Sequence, residues 1–392
     1  LGRAVIVGSG RKTRAISHAL KAGATLGAAL ALMVAPSGAC VQAAEPAVPA
    51  LPVVKPIPVK VMVIANFEPG ADTGDAPGEF QLWAEREHLD EVIPVRGALH
   101  PLRRNAQGLY GMVWGDPHSL VATPDVQLMA LLLDPRFDFS HTYWLFTGIS
   151  GADPQVASVG SVAWARWVVS GDEMREFAPS DTPRGWPYGL FAIGAKAPGE
   201  LPVAADSFAG MTDTSSLGAA VALNQGLAQW AFALSKDTPL PDSPALAAAR
   251  ARWKGFPQAQ RAPFVLMGET LGALRYWHGA GRTQWARDWV KLWTQGQGRF
   301  AMTNMESQLM AGTMLVAAQD GLVDMKRVMV LRSASNASMP PPGQSPLASV
   351  GDEGPGQVAA YESNYRVGAV VVHHLLADWG RYRDTVPEAG QP

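Results

Sequence analysis

The 392 residues, 47% of them hydrophobic, are enough to build a large core in one big domain. Five of the 32 basic residues fall in residues 1–43, which contain no acid. The remainder therefore sets 27 basic against 34 acidic residues, a balance that gives no support to a nucleic-acid surface. Cys40 is the only cysteine, so no internal disulfide can form and no cystine framework indicates a compartment.

In chain order, Gly8-Ser9-Gly10 lacks the third glycine and the following helix of a dinucleotide loop, and reads as part of an extended start. Arg11, Lys12, Arg14 and Lys21 precede an apolar run over 22–36 that is short for a membrane span. With small residues after it, this is the pattern of an export signal, with cleavage after Ala43 and a periplasmic or secreted location. Gly38-Ala39-Cys40 offers lipid anchoring as the alternative, although Ser37 replaces the larger aliphatic residue such a site uses. Residues 44–56 form a Pro/Ala/Val linker, residues 57–386 the folded domain, and residues 387–392 a C-terminal tail.

Within the domain, 59–65 is expected to be a strand buried on both faces, releasing Asn66, Glu68 and Asp72 into an acidic loop. A helix over 79–88, strands over 91–95 and 109–114, and a helix over 124–133 follow. The strand-like 142–147 runs into Gly148-Ile149-Ser150-Gly151, where glycines permit either the close approach of a ligand to N–H groups or a plain turn. Paired strands are expected within 156–169, with Asp172, Glu173 and Glu176 at the surface. Residues 179–199, without sustained periodicity, read as a long functional or subunit-contact loop. Helical spacing is expected over 216–234 and 245–253, and a strand over 264–267, which Gly268-Glu269-Thr270-Leu271-Gly272 terminates and leads into a helix through Trp277. Trp285, Trp289, Leu292 and Trp293 recur at helical spacing, either as core or as an aromatic wall, and His278 is a candidate pocket residue.

The stretch 300–336 organises the rest. A polar junction over 303–308 leads into a helix with Leu309, Met310, Thr313, Met314 and Val316 as inward candidates, broken at Gly321. A buried strand over 328–331 then delivers Arg332, Ser333, Ser335 and Asn336 to the place where α/β proteins bind ligands, outside the carboxyl ends of strands. Residues 337–357 form a loop able to cover a ligand or meet another subunit, and 364–379 a closing helix. Adjacent His373 and His374 point about 100° apart on a helix, so they cannot make an i,i+4 zinc pair.

The segments VMVIANFEPGAD, FTGISGADP, TNMESQLM and VLRSASN together resemble the purine nucleoside permease family over about residues 57–386. That family is itself similar to nucleoside phosphorylases. The resemblance implies a three-layer α/β/α, nucleoside phosphorylase-like domain around a mixed sheet. It implies a ribose grip at Met305-Glu306, a turn beside the nucleoside at Gly148, Ser150 and Gly151, and a purine contact at Ser335-Asn336. Asn66 and Glu68 are the further substrate-binding candidates. Glu306 and Asn336 are the catalytic candidates, with Asn336 standing where many bacterial-type relatives carry Asp. Glu306 can equally cap or solvate a helix start, and Asn336 can be a turn residue. No phosphate-holding Arg/Ser constellation matches apart from Arg332.

The expected function is binding of purine nucleosides outside the cytoplasm in association with uptake, with cleavage of the N-glycosidic bond by phosphorolysis as the possible chemistry. A non-catalytic binding or sensing component, a nucleoside hydrolase and a structural or storage protein are the alternatives. No metal or cofactor is expected, and phosphate is the possible cosubstrate. The mature chain is expected to have no transmembrane domain, since no second long apolar span follows the leader. The resemblance also implies a homo-oligomer.

Overall fold

The computed structural model describes residues 55–115, 124–201, 216–217, 219–351 and 354–390. The expected leader, its cleavage point, Cys40 and most of the linker lie outside the described residues.

The fold is α/β, a mixed sheet between two helical layers. Its centre is β1 (Val61–Ala65), whose five residues are all buried, parallel to β2 (Leu109–Val113) on one edge and β3 (Tyr143–Ala152) on the other. The uninterrupted apolar run of β1 follows from burial on both faces. Val61, Val63 and Ala65 pack on one side with Trp83, Val367 and Leu375, while Met62 and Ile64 pack on the other with Leu128, Met310 and Met314. The first layer contains α1 (Gln81–Arg86), and the second contains α2 (Pro124–Leu132).

Beyond β3 the sheet continues through β4 (Val162–Ala165) and β5 (Trp167–Ser170). The expected helix over 216–234 is shorter than its spacing suggested. The small residues of Ala220–Ala222 instead pair antiparallel with β5, and α3 (Gln225–Ser235) begins only after Asn224, whose side chain accepts from Leu227 N–H at 3.2 Å. After α4 (Pro244–Ala251) and a short strand at Val265–Met267 comes β6 (Glu269–Gly272), where only the end of the preceding strand was expected, and the helix expected to follow through Trp277 is a loop over 273–279. β6 is paired on both edges, with β5 and with β7 (Phe300–Asn304). The tryptophans of α5 (Ala280–Trp293) are core: Trp285, Trp289 and Trp293 are buried against Trp167, Leu271 and Phe300.

From β7 the chain enters α6 (Ser307–Gln319), which buries Met310, Thr313 and Met314 as expected but leaves Val316 51% exposed, on the outer side of the helix. The strand expected to stop at 331 continues to Ala337 as β8 (Val328–Ala337). It is paired on both edges, parallel with β3 and antiparallel with β4, so the backbone groups of its polar half stay in the ladder. A one-turn α7 (Pro346–Ser349) precedes α8 (Gly356–Ala377), a 22-residue helix that starts eight residues before the expected boundary and lies on the α1 and α3 side. No helix among the described residues is long and apolar enough to cross a membrane.

Candidate functional site

The site forms where the edge of β3 changes partner. Along that edge β1 pairs as far as Ala65 with Thr147, and β7 takes over only at Gly151 with Thr303. In the gap, the carboxylate of Glu79 acts as a short piece of missing strand. Its Oε1 accepts from Ile149 N–H at 2.7 Å, and its Oε2 accepts from Asn66 and Phe67 N–H at 2.9 Å each. The GISG segment is therefore strand rather than turn, and Ile149 N–H is already used. Gly148 is needed for another reason. A β-carbon there would lie 2.5 Å from Arg332 Nη1 and 2.9 Å from Glu79 Oε2.

A second carboxylate arrives from the β7–α6 junction. Asn304 Oδ1 accepts from Ser307 N–H at 2.9 Å, so Asn304, not Glu306, supplies the side-chain cap for the start of α6. Glu306 is left to turn inward, where it is 4% exposed. Its Oε1 accepts from Arg332 Nη1, and its Oε2 accepts from Met305 N–H at 2.9 Å. Arg332 is 1% exposed, and its Nη2 also donates to Ser307 Oγ at 2.9 Å. On the opposite face of β8, Ser333 Oγ accepts from Asn364 of α8 at 3.1 Å. The polar run of β8 thus points alternately into the two helical layers and finds partners in both, although Arg332 Nε is buried without a hydrogen-bond partner.

At its end β8 breaks register with β3: Ala334 faces Ser150, but Asn336 faces Gly151, leaving Ser335 as the extra residue. Such a bulge re-aims side chains that would otherwise alternate. Ser335, Asn336 and Ala337 all border one cavity of about 300 Å³. The same cavity is lined by Asn66, Glu79, Ser150, Gly151, Met305 and Glu306, and by Tyr276, Trp277 and His278 from the loop after β6. Asn336 Nδ2 lies 3.4 Å from Tyr276 Oη, and Ser150 Oγ is buried without a hydrogen-bond partner. His278 Nε2 is 2.7 Å from Ser349 Oγ. Burial lowers its pKa from the usual imidazole value.

Seven of the residues expected at the site, Asn66, Ser150, Gly151, Met305, Glu306, Ser335 and Asn336, thus border one cavity. Gly148 lies behind it, making room for Arg332 and Glu79. Glu68 does not line it. That carboxylate is fully buried under the loop before α1, accepting from Gly78, Phe80 and Gln81 N–H at 2.6–2.8 Å. Glu79 occupies the place proposed for it. Arg332, the candidate phosphate ligand, is committed to Glu306 and Ser307. Burial and the neighbouring charge of Glu306 push the Glu79 carboxyl up to about 8, against the opposing pull of Ile149 N–H, Arg332 and Phe67 N–H. Elsewhere, His373 pairs with Glu87 at 2.9 Å. No group of three or more His, Cys, Asp or Glu side chains among the described residues is placed to hold a metal ion.

A model of the purine nucleoside permease family matches residues 58–387. The chain belongs to that family. This member is 27% identical over 279 residues to a probable purine nucleoside permease of Schizosaccharomyces pombe, covering 70% of this chain and 77% of the relative. It is 25% identical over 269 residues to a purine nucleoside permease of Candida albicans, covering 67% of this chain and 63% of that protein, so it spans less than two thirds of the latter. Among solved structures, this family member is similar to the 5'-methylthioadenosine/S-adenosylhomocysteine nucleosidase of Neisseria meningitidis. The TM-score is 0.44 at 14% identity, covering 81% of this chain and 99% of the other. A futalosine hydrolase of Helicobacter pylori gives 0.42 at 13%, covering 81% and 98%.

Proposed function

We propose that the cavity binds a purine nucleoside, with the ribose against Met305 and Glu306 and the base against Ser335 and Asn336, and that water cleaves the N-glycosidic bond with Glu79 as base. The observation that carries this reading is the convergence of two differently held buried carboxylates on one cavity bordered by an amide and an apolar thioether. Glu306 keeps a lone pair on each oxygen beyond its bonds to Arg332 and Met305, enough to accept from vicinal hydroxyls. Arg332 fixes its direction and charge. Met305 packs on the sugar, and Asn336 offers both a donor and an acceptor to the edge of a purine. Membership in a family named for purine nucleosides supports the ligand class.

In the proposed step a water oxygen bonds to the anomeric carbon as the bond to the base nitrogen breaks. The electron pair leaves with the base, one water proton passes to Glu79, and the base takes a proton from solvent. A carboxyl raised by burial beside a second carboxylate that an arginine holds in place is an arrangement that can separate a base from a fixed substrate contact. Water rather than phosphate is favoured because the buried arginine nearest the pair is already held by Glu306 and Ser307.

A second reading, capture without turnover, draws on Asn336, since an amide cannot hand a proton to a departing purine as a carboxylic acid can. Both readings place the protein outside the cytoplasm in association with uptake, on the strength of the basic and apolar pattern over 11–36. Incubating the protein with adenosine or inosine, with and without phosphate, and separating the products distinguishes them. Free base and ribose at equal rates in both conditions is the expected result. Release that requires phosphate replaces water as the acceptor. Saturable binding of unchanged nucleoside selects capture, and the absence of both binding and release defeats both readings.

A further inference from the structure

A second cavity, of about 470 Å³, adjoins the first and shares His278, Ser335, Asn336 and Ala337 with it. The shared wall is the one assigned to the base, whereas Met305, Glu306 and Glu79, the ribose end, border the first cavity alone. Beyond the shared wall the lining changes character. Ala245 and Ala248 of α4, Trp253, Met339 and Pro341 present mainly small or apolar surface, with Arg252 among the polar members. Trp253 is buried, at 5% exposed, so this wall is part of the packed body. Gly356, at the first turn of α8, also lines it and cannot be larger, because a β-carbon there would meet Ser335 O at 1.9 Å.

The first cavity is at the small end of the range for ligand pockets, enough for an unsubstituted nucleoside. The second is larger and opens from the same amide and hydroxyl that meet the purine. We infer that this adjoining cavity is a subsite for a bulky apolar substituent carried on the purine ring, so that the preferred ligands are base-modified purine nucleosides. The inference rests on the orientation proposed above. Its physical basis is the removal of apolar ligand surface from water against alanine, tryptophan and methionine side chains. A group attached to the 5' position of the ribose leaves from the other end of the molecule and gains nothing from it.

The test uses isothermal titration of the full chain with adenosine, N6-benzyladenosine and 5'-benzylthio-5'-deoxyadenosine, and of two variants, Ala248→Phe and Ala245→Phe. Both alanines are exposed on α4, so the larger side chain fills the cavity without disturbing the core. The expected result is binding of N6-benzyladenosine at least tenfold tighter than adenosine, with no comparable gain for the 5'-substituted compound. Either variant should remove that gain while leaving adenosine affinity within twofold. Equal affinity for adenosine and N6-benzyladenosine, or a gain that survives both variants, overturns the subsite while leaving the nucleoside reading standing. A gain confined to the 5'-substituted compound overturns the orientation. Failure of adenosine itself to bind defeats the underlying reading and this inference with it.

Discussion

Replacing Glu306 by Gln is expected to cost about 3–5 kcal/mol of folding stability, because it leaves the guanidinium of Arg332 buried without its counter-charge. The two side chains are 6% and 2% exposed, so solvent does not screen the loss. Nucleoside affinity should fall as well, by about tenfold to a hundredfold, the worth of hydrogen bonds to a charged acceptor. The two effects separate in the double variant Glu306→Gln/Arg332→Met. Removing both charges restores most of the stability, since an apolar group in place of a buried charge is often neutral or better. It does not restore the carboxylate that the ribose needs. Denaturant unfolding and calorimetric titration of the wild type, the single variant and the double variant measure both quantities. Recovery of binding together with stability would reduce Glu306 to a structural partner of Arg332.

Glu79→Gln is the second large effect. As the proposed base, Glu79 must be ionised, and its carboxyl is pushed up to about 8 by burial and by Glu306. Base release by the wild type should therefore rise as pH passes through about 8. The variant should be slower by about 100-fold to 10,000-fold, the usual contribution of a general base, and should lose that rise. Stability moves the other way. A folded-state value above the ordinary 4.5 means that the folded chain holds the proton more tightly than the unfolded chain. The contribution of Glu79 to stability is then fully present below 4.5 and is lost as pH rises through about 8. The variant has no such dependence, so its melting temperature should fall less than that of the wild type between pH 5 and pH 9. A wild-type rate independent of pH over that window, or an unimpaired variant, removes Glu79 from the chemistry.

The parts of this molecule legible in the sequence are those decided by neighbours along the chain or by a short motif. Val61–Ala65 is apolar at every position because both faces of β1 are covered, and a run of that length between polar segments can be read directly. Met305, Glu306, Ser335 and Asn336 stand out because abrupt polarity beside buried elements is visible in one dimension, and the family resemblance assigns them to one pocket. The structure brings them to one cavity.

What could not be read depends on partners far away in the chain. Of the two acids near β1, Glu68 follows the strand more closely and was the natural choice. The gap in the edge of β3 that draws in Glu79 exists only because β7, more than 200 residues later, pairs no further than Gly151. Likewise β8 runs on through Arg332 and Ser333 because Glu306, Ser307 and Asn364 meet them from two different layers. Tyr276 and Trp277 were expected in a helix, whereas the chain leaves the paired strand β6 directly into a loop that lines the cavity. The glycine at 148 was expected to admit a ligand or to make a turn, and it lies in a strand behind the cavity. What approaches the backbone there is Arg332 and Glu79.

The most direct test of the central claim is a crystal structure of the full chain with adenosine, or with the non-hydrolysable C-nucleoside 9-deazaadenosine should adenosine be consumed. The account predicts the ribose hydroxyls within hydrogen-bond distance of Glu306, Met305 against the sugar, the purine edge on Asn336, and an ordered water beside Glu79. A nucleoside lodged elsewhere, or bound with its base at Glu306 and its ribose at Asn336, would contradict it.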